Sequence, residues 1–196
     1  MGPDPDAALM LAFQQGDEGA FRTLYERHAR AMFAFCQRFV RDTARAEELA
    51  QDVFVSLHRS RDRYRPSARF KTFLYRVATN HCLNELRRRE HDLRQELGGR
   101  DEEPADLDSL PSEAAGPEEH YRARALEAAV RELLDRLPEK QRAALVLCRF
   151  EGLSYEEIAQ VLDTTVAAVK SLVHRATVAA AQALAPHHPL AREAAS

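Results

Sequence analysis

The sequence predicts an all-α protein: two small helical bundles joined by a flexible acidic linker, with a helix-turn-helix in the second bundle. Apolar residues recur at intervals of three and four in both halves, and almost no segment alternates as a strand does. A stretch rich in Pro, Gly, Ser, Asp and Glu separates the halves. Near the C-terminus, a short capped segment, a turn and a second periodic segment follow one another, which is the order of a helix-turn-helix.

Composition favours a folded protein with strongly segregated charge. The 196 residues are 45% hydrophobic, which excludes wholesale disorder, and 28 basic against 31 acidic side chains leave a net charge of −3. Residues 59–94 hold 11 basic and 4 acidic side chains, whereas residues 95–121 hold 1 basic and 9 acidic. Adjacent blocks of opposite charge are typical of interaction surfaces and linkers.

The expected location is the cytoplasm. No apolar run approaches the roughly 20 residues of a membrane span, and the acidic, Pro-containing start predicts no signal peptide. Cys36, Cys82 and Cys148 lie far apart without a C-x-x-C pair. This spacing excludes a disulfide framework and suits a reducing compartment, with the three thiols as small buried hydrophobes.

Three helices and a loop are predicted for the N-terminal bundle, residues 1–95. The first helix follows an apolar stripe from Phe21 to Phe39, the second spans 44–59 and the third spans 70–91, with a polar loop over 60–69. The stripe consists of Phe21, Leu24, Tyr25, His28, Met32, Phe35, Cys36 and Phe39.

The linker, residues 96–120, precedes a second bundle over 121–185 and a tail over 186–196. Helices are expected near 121–136 and 138–150, with Pro138 in a first turn and Gly152 as a stop. Ser154 and Glu157 have capping-box spacing and open a short helix. A last helix starts after Asp163-Thr164-Thr165, with Val166, Val169, Val173 and Ala176 facing inward.

Steps of 100° place the outward side chains of this last helix. Ala167, Lys170, Ser171 and His174 point outward, and Arg175 lies at the edge. Lys and Arg donate to guanine acceptors or phosphates, and Ser is a flexible partner to either. The pattern is compatible both with a DNA-recognition helix and with an ordinary hairpin whose polar face is solvated.

Two further surfaces could bind a partner. The helix at 44–59 carries Glu47, Glu48, Gln51 and Asp52 on one side, which is either a docking face for a basic protein or a solvated face. On the third helix, Thr72, Arg76, Thr79, Asn80 and Arg87 share a face. The arginines around it, interleaved with Tyr64, Phe70 and Tyr75, favour single-stranded nucleic acid, where charge follows the backbone and aromatics stack on bases.

Four motifs, in this order, resemble one family. They are AEELAQDVF at 46–54, FKTFLYRVATN at 70–80, LPEKQR at 137–142 and GLSYEEIA at 152–159. Together they are similar to bacterial RNA polymerase sigma factors, and the two conserved parts with a short linker are similar to the extracytoplasmic-function subgroup. The chain differs from that pattern at Phe73, Asn84 and Asp163, and its Ala-rich 176–185 stretch replaces a more basic helix end.

The resemblance implies a transcription initiation factor whose partners are core RNA polymerase, promoter DNA and an anti-sigma protein, while the polymerase supplies the chemistry. It assigns core-polymerase binding to Glu47, Glu48, Gln51 and Asp52. The melted −10 element is assigned to Arg63, Tyr64, Arg65, Arg69, Lys71, Arg76, Asn80, Arg87 and Arg88. The −35 duplex is assigned to Thr165, Ala168, Lys170, Ser171, His174 and Arg175.

Other functions are less well supported by the sequence. The eight His form no set with zinc-site spacing, and no Gly-rich phosphate loop, nucleophile elbow or paired-carboxylate motif is present. We therefore expect no metal, no cofactor and no enzymatic activity. Two rivals remain: a stand-alone helix-turn-helix regulator with an N-terminal sensing or dimerising bundle, and a protein-interaction module, which would leave the basic block without a purpose.

Overall fold

A computed structural model describes residues 4–96 and 117–185, and side chains at 93–96 and 117–123 are outside the description. Over those ranges the chain forms eight α-helices and no strand, which confirms the predicted all-α class, although the sequence prediction contains seven helices. The helices are α1 Pro5–Gln14, α2 Glu18–Gln37, α3 Thr43–Arg59, α4 Phe70–Glu96, α5 Pro117–Arg136, α6 Glu139–Arg149, α7 Tyr155–Val161 and α8 Val166–Leu184, with one 3-10 turn at Arg61–Arg63.

Helix α1 is absent from the sequence prediction, which used the acidic, Pro-containing start only as an argument against a signal peptide. Its N-cap is Asp4, whose side chain accepts hydrogen bonds from two backbone N–H groups of the first turn, and Pro5 occupies a position where its missing N–H is not needed. Ala7, Met10 and Phe13 are buried at helical spacing. At ten residues, α1 presents too short an apolar stripe to stand out by periodicity alone.

The N-terminal bundle packs α2, α3 and α4 around the predicted apolar stripes. Met32, Phe35 and Cys36 of α2 are fully buried. Tyr25 was predicted to belong to the buried stripe, but it lies on the outer side of α2, where 45% of the residue is exposed. Asp17 and Asp42 cap α2 and α3 with their side chains, which fixes where the chain enters each helix.

Helices α5 to α8 form the C-terminal bundle and the predicted helix-turn-helix. Ser154 and Glu157 make both hydrogen bonds of the capping box, and Gly152 has a φ of 66°, which suits glycine at a helix stop. Asp163 takes a φ of 48° in the turn before α8. Two corrections concern Pro138, which is the N-cap of α6 rather than a residue of its first turn, and Cys148, which is half-buried.

The domain boundaries remain a prediction. Helix α4 runs to Glu96, five residues beyond the expected end, and α5 already begins at Pro117 within the predicted linker. Residues 97–116 of the linker and the predicted tail, 186–196, lie outside the described residues.

The two bundles touch each other through polar contacts. Arg142 of α6 is only 4% exposed, and its guanidinium donates to the carbonyl of Phe39 at 3.1 Å and pairs with Asp135 at 3.2 Å. Burial lowers the pKa of Arg142, and Asp135 opposes that shift. Beside them, Arg41 pairs with Asp135 at 2.6 Å. One buried arginine thus connects the end of α2 to the C-terminal bundle.

Candidate polymerase and promoter interfaces

The acidic surface of α3 is exposed as predicted, and all four side chains assigned to it are accessible: Glu47, Glu48, Gln51 and Asp52. Glu48 accepts a hydrogen bond from Arg45 at 2.6 Å. The pKa of Arg45 is raised, chiefly by its hydrogen bond to Glu85 and then by the one to Glu48. Arg45 therefore holds Glu48 on the surface of α3 while it satisfies a buried acid below.

Next to the acidic surface lies an apolar groove that sequence reasoning missed. A cavity of about 290 Å³ opens between α2 and α3 and includes Tyr25, Phe33 and Phe54 in its lining, with Glu47 and Gln51 at its side. Tyr25, whose ring lies 4.8 Å from that of Phe54, is 45% exposed at this groove, and no sequence signal distinguished it from the buried residues of the predicted stripe. The surface can thus offer a partner both carboxylates and apolar contact.

In the arginine-rich loop, residues 60–69, one residue predicted to bind the −10 strand is buried. Tyr64 is only 2% exposed, its ring lies 5.1 Å from that of Phe73, and burial raises the pKa of its hydroxyl. It belongs to the core and is not available to stack on a base in this conformation. Arg65 folds back onto the loop, donating to the carbonyls of Tyr64 at 2.8 Å and Asp62 at 3.3 Å. Arg63 and Arg69 are exposed beside it.

The residues predicted to form the polar face of α4 are partly exposed and partly buried. Arg76, Asn80 and Arg87 are exposed, as expected. Thr72 and Thr79 are buried, which corrects their assignment to that face. Arg76 lies over the ring of the half-buried Phe73, 5.6 Å from the centroid, as in a cation–π contact. Phe73 is therefore a half-buried ring beside an exposed cation of this surface, whereas Tyr64, Phe70 and Tyr75, to which the sequence prediction gave the stacking role, are all buried.

Arg88 is held by an internal ion-pair network. Glu85 is 3% exposed and accepts from Arg88 at 2.9 Å and from Arg45 at 2.7 Å. Burial by itself would raise the pKa of Glu85, but the hydrogen bonds from Arg88 and Arg45 outweigh it and hold the pKa at about 2. Arg88 therefore stabilises the junction of α3 and α4 as well as presenting charge outward.

Part of the predicted −10 surface contacts the C-terminal bundle. Lys71 donates to the carbonyl of Glu151 at 2.6 Å, and Arg87 donates to Glu139 at 3.2 Å. The buried Tyr75 donates to the Glu151 carboxylate, and burial followed by this hydrogen bond raises the pKa of its hydroxyl. In this conformation two of the nine side chains assigned to the −10 element have protein partners on the other bundle.

Helix α8 places its polar residues as predicted. Val169, Val173 and Ala176 are buried, and Lys170, Ser171, His174 and Arg175 are exposed. Thr165 uses its hydroxyl to cap the helix, accepting from the Ala168 amide at 3.2 Å. Ala168 itself is half-buried. Thr165 and Ala168, two residues of the predicted −35 set, therefore serve partly to stabilise the start of α8.

The part of the chain that the structure describes contains neither a metal-ion cluster nor a membrane-spanning helix. Over residues 4–96 and 117–185 no group of three His, Cys, Asp or Glu side chains is placed to hold a metal ion. The helices of the same ranges include none with the length and apolar character needed to cross a membrane.

Comparisons with known proteins match both bundles. Residues 24–91 match Sigma-70 region 2, and residues 127–178 match Sigma-70, region 4. The RNA polymerase sigma-H factor of Pseudomonas aeruginosa is 35% identical over 97% of this chain and 98% of its own length. The ECF RNA polymerase sigma-E factor of Haemophilus influenzae is 31% identical over 87% of this chain and 90% of its own.

A solved structure has the same fold. The sigma factor RpoE of Bartonella quintana, in complex with the anti-sigma factor NepR, superposes with a TM-score of 0.65 at 21% identity, covering 84% of this chain and 96% of that one. With both regions matched in order and relatives aligned over nearly their whole length, the chain belongs to the extracytoplasmic-function sigma factors of bacterial RNA polymerase.

Proposed function

We propose how the surfaces of this transcription initiation factor, which directs core RNA polymerase to promoters, divide that work. The acidic surface of α3 and the groove beside it bind the polymerase, the loop before α4 with the exposed face of α4 binds the melted −10 strand, and α8 binds the −35 duplex. The proposed domains are 1–95 and 121–185, joined by 96–120.

The observation that carries this proposal is that one chain exposes basic and polar side chains on two separate surfaces. In the N-terminal bundle, Arg63, Arg76 and Asn80 are exposed on a loop and the adjoining helix, a composition that suits a flexible strand. The C-terminal bundle exposes Lys170, Ser171 and Arg175 on the second helix of a helix-turn-helix, which suits a major groove. A stand-alone regulator needs only the second surface.

Polymerase binding is supported by charge and shape together. Glu48 and Asp52 lie one helical turn apart and are exposed. The groove lined by Tyr25 and Phe54 offers apolar area beside them. An interface core that is apolar with a charged rim is typical of specific protein contacts. The partner surface should therefore be basic at its edge and apolar at its centre.

We further propose that the chain supplies no catalytic group, because the polymerase forms the phosphodiester bonds. It acts in the cytoplasm, where its polymerase is. An anti-sigma protein holds it inactive, by analogy with the Bartonella relative, which was solved with the anti-sigma factor NepR. A binding partner that covers any of the three surfaces would block initiation.

The experiment combines the purified chain with bacterial core polymerase and a promoter library, and maps transcript starts. Starts at a fixed distance from shared −10 and −35 sequences support the proposal. The double variant Glu48→Lys/Asp52→Lys should lose core binding, because like charges at an interface can cost several kcal/mol. The same reversals at Glu127 and Glu132 of α5 serve as the control. Unchanged co-purification of the α3 variant with core polymerase would refute the α3 assignment.

A further inference from the structure

Gln14, in the last turn of α1, is bonded to the start of the arginine-rich loop. Its side-chain amide nitrogen lies 2.8 Å from the carbonyl oxygen of Arg61, 3.2 Å from that of Asp62 and 3.4 Å from that of Tyr64. These carbonyls belong to the 3-10 turn and the residue after it. The Arg61 carbonyl also accepts from the Tyr64 N–H at 3.2 Å, and the other two also accept from Arg65. The Gln14 amide therefore links α1 to a turn that donors within the loop already hold in part.

Asp4, at the other end of α1, is bonded to the end of the same loop. Its Oδ2 accepts from the backbone N–H of Phe70 at 2.7 Å, while its Oδ1 accepts from those of Asp6 at 3.0 Å and Ala7 at 3.4 Å. Phe70 begins α4, so its N–H has no acceptor within the helix. A single carboxylate thus caps two helices and fixes where α4 starts relative to α1.

Between these two points lies the stretch that carries Arg61, Arg63, Arg65 and Arg69. Arg61 is held further by α1 and α2, since its guanidinium lies 5.5 Å from the Phe13 ring centroid and 3.3 Å from Glu18. A loop ordered before it binds loses less conformational entropy when it engages a strand. The backbone of this loop is thus held near both of its ends by Gln14 and Asp4, and within the loop by Arg65.

We propose that Gln14 and Asp4 are positioning residues for promoter opening, which hold the arginine-rich loop in the conformation that binds the −10 strand. The inference rests on the proposed function of that loop and extends it to α1, which the sequence prediction left out. Neither side chain contacts DNA in this role. Their effect on the melted strand passes through the backbone of residues 61–70.

The test uses full-length chain assembled with core polymerase. Gln14→Met keeps the side-chain length but removes the donor, and Gln15→Met makes the same change at the exposed neighbour. Open-complex formation is followed by fluorescence of an unpaired adenine analogue in the −10 region, on a duplex promoter and on one mismatched there. Promoter affinity is separated from the opening rate by varying holoenzyme concentration. Core affinity and thermal unfolding are measured in parallel.

We expect Gln14→Met to slow opening of the duplex about three- to tenfold, the scale of a lost hydrogen bond, with a smaller defect on the mismatched template. Gln15→Met should match the wild type. In Gln14→Met core affinity should not change, and the unfolding temperature should fall by no more than the few degrees that one lost hydrogen bond accounts for. Asp4→Asn, which leaves one acceptor oxygen for two helix ends, should slow opening in the same direction.

Three outcomes would overturn the inference. Opening by Gln14→Met and Asp4→Asn at the wild-type rate would remove the positioning role while leaving the proposed function intact. Equal defects on both templates, together with lower unfolding temperature and core affinity, would assign α1 to global stability instead. Failure of the wild-type holoenzyme to open any promoter would overturn the proposed function itself, and with it this inference.

Discussion

Tyr75 of α4 donates its hydroxyl hydrogen bond to the carboxylate of Glu151, which belongs to the turn between α6 and α7. The same glutamate accepts from Lys71 through its carbonyl at 2.6 Å, and its carboxylate lies 3.7 Å from Arg38. One acidic residue of the C-terminal bundle therefore contacts three side chains of the N-terminal bundle. This contact lies beside the surface proposed to bind the −10 strand.

Replacement of Glu151 by Ala should loosen the packing of the two bundles. The change leaves the buried Tyr75 hydroxyl without its partner and removes the acid facing Arg38, and a lost hydrogen bond to a charged group costs about 1.5–3 kcal/mol. Energy transfer between dyes on α3 and α8 of the free chain should report a larger mean separation. Glu156→Ala on α7 is the control. An unchanged separation in Glu151→Ala would show that this contact does not hold the bundles together.

Glu85 should make the free energy of unfolding depend on pH in the acidic range. Its pKa is about 2 in the folded protein against about 4.5 in an unfolded chain. Because the folded-state pKa is lower, the stabilisation is complete above about pH 4.5 and is lost as the pH falls toward 2. Glu85→Gln should lower the free energy of unfolding at pH 7 by roughly 3 kcal/mol.

Urea unfolding between pH 7 and pH 3 measures this difference. The wild type and Glu85→Gln should converge as the pH falls below 4.5, whereas Glu26→Gln, on the exposed side of α2, should match the wild type throughout. If the free energy of unfolding of Glu85→Gln stays below that of the wild type by the same amount at every pH, the cause is the packing of the glutamine side chain and not the loss of charge.

On α8, Ser171 and Arg175 should have different effects on −35 binding. A lost base contact costs about 1–3 kcal/mol at one base pair, whereas a lost phosphate contact weakens binding to all sequences alike. Ser171→Ala is therefore expected to relax sequence preference, and Arg175→Ala to lower transcription from every −35 variant. Start-site counts from a library randomised across the −35 element distinguish the two. If neither variant alters the counts, α8 is not the recognition helix.

Asn80 is expected to act in −10 capture. Its amide offers both a donor and an acceptor, so it can bind a base edge, and it is exposed on α4 near Arg76. Unstacking a base costs a few kcal/mol, which a capture site must offset. Asn80→Ala should slow opening of a duplex promoter while core binding stays normal, and a −10 mismatch should reduce the defect. Equal defects on both templates, at normal stability, would argue against base capture.

Local signals in the sequence predicted the helices well. The spacing of Met32, Phe35 and Cys36 located the buried side of α2, and the capping pair Ser154 and Glu157 located the start of α7. Gly152 marked the stop before it. Each of these features is decided by residues within a few positions of one another, which is the range over which a single sequence carries structural information.

Side chains that pack between elements were harder to predict. Tyr64, Thr72 and Thr79 look like surface residues by composition, yet contacts from other helices bury all three. The hydrogen bonds between Gln14 and the loop join residues 47 to 50 positions apart, and no local sequence pattern predicts them. Long-range contacts of this kind decide which polar groups remain exposed for a ligand, and they remove Tyr64 from the predicted set.

Promoter binding with and without core polymerase distinguishes a sigma factor from a stand-alone regulator. Fluorescence anisotropy of a labelled promoter duplex, at fixed salt, is measured with the chain alone, with core polymerase alone and with both. Tight, sequence-dependent binding is expected only for the mixture, because the polymerase is needed to present both DNA surfaces. Tight binding to the same duplex by the chain alone, unchanged by core polymerase, would contradict this expectation and indicate a stand-alone helix-turn-helix regulator.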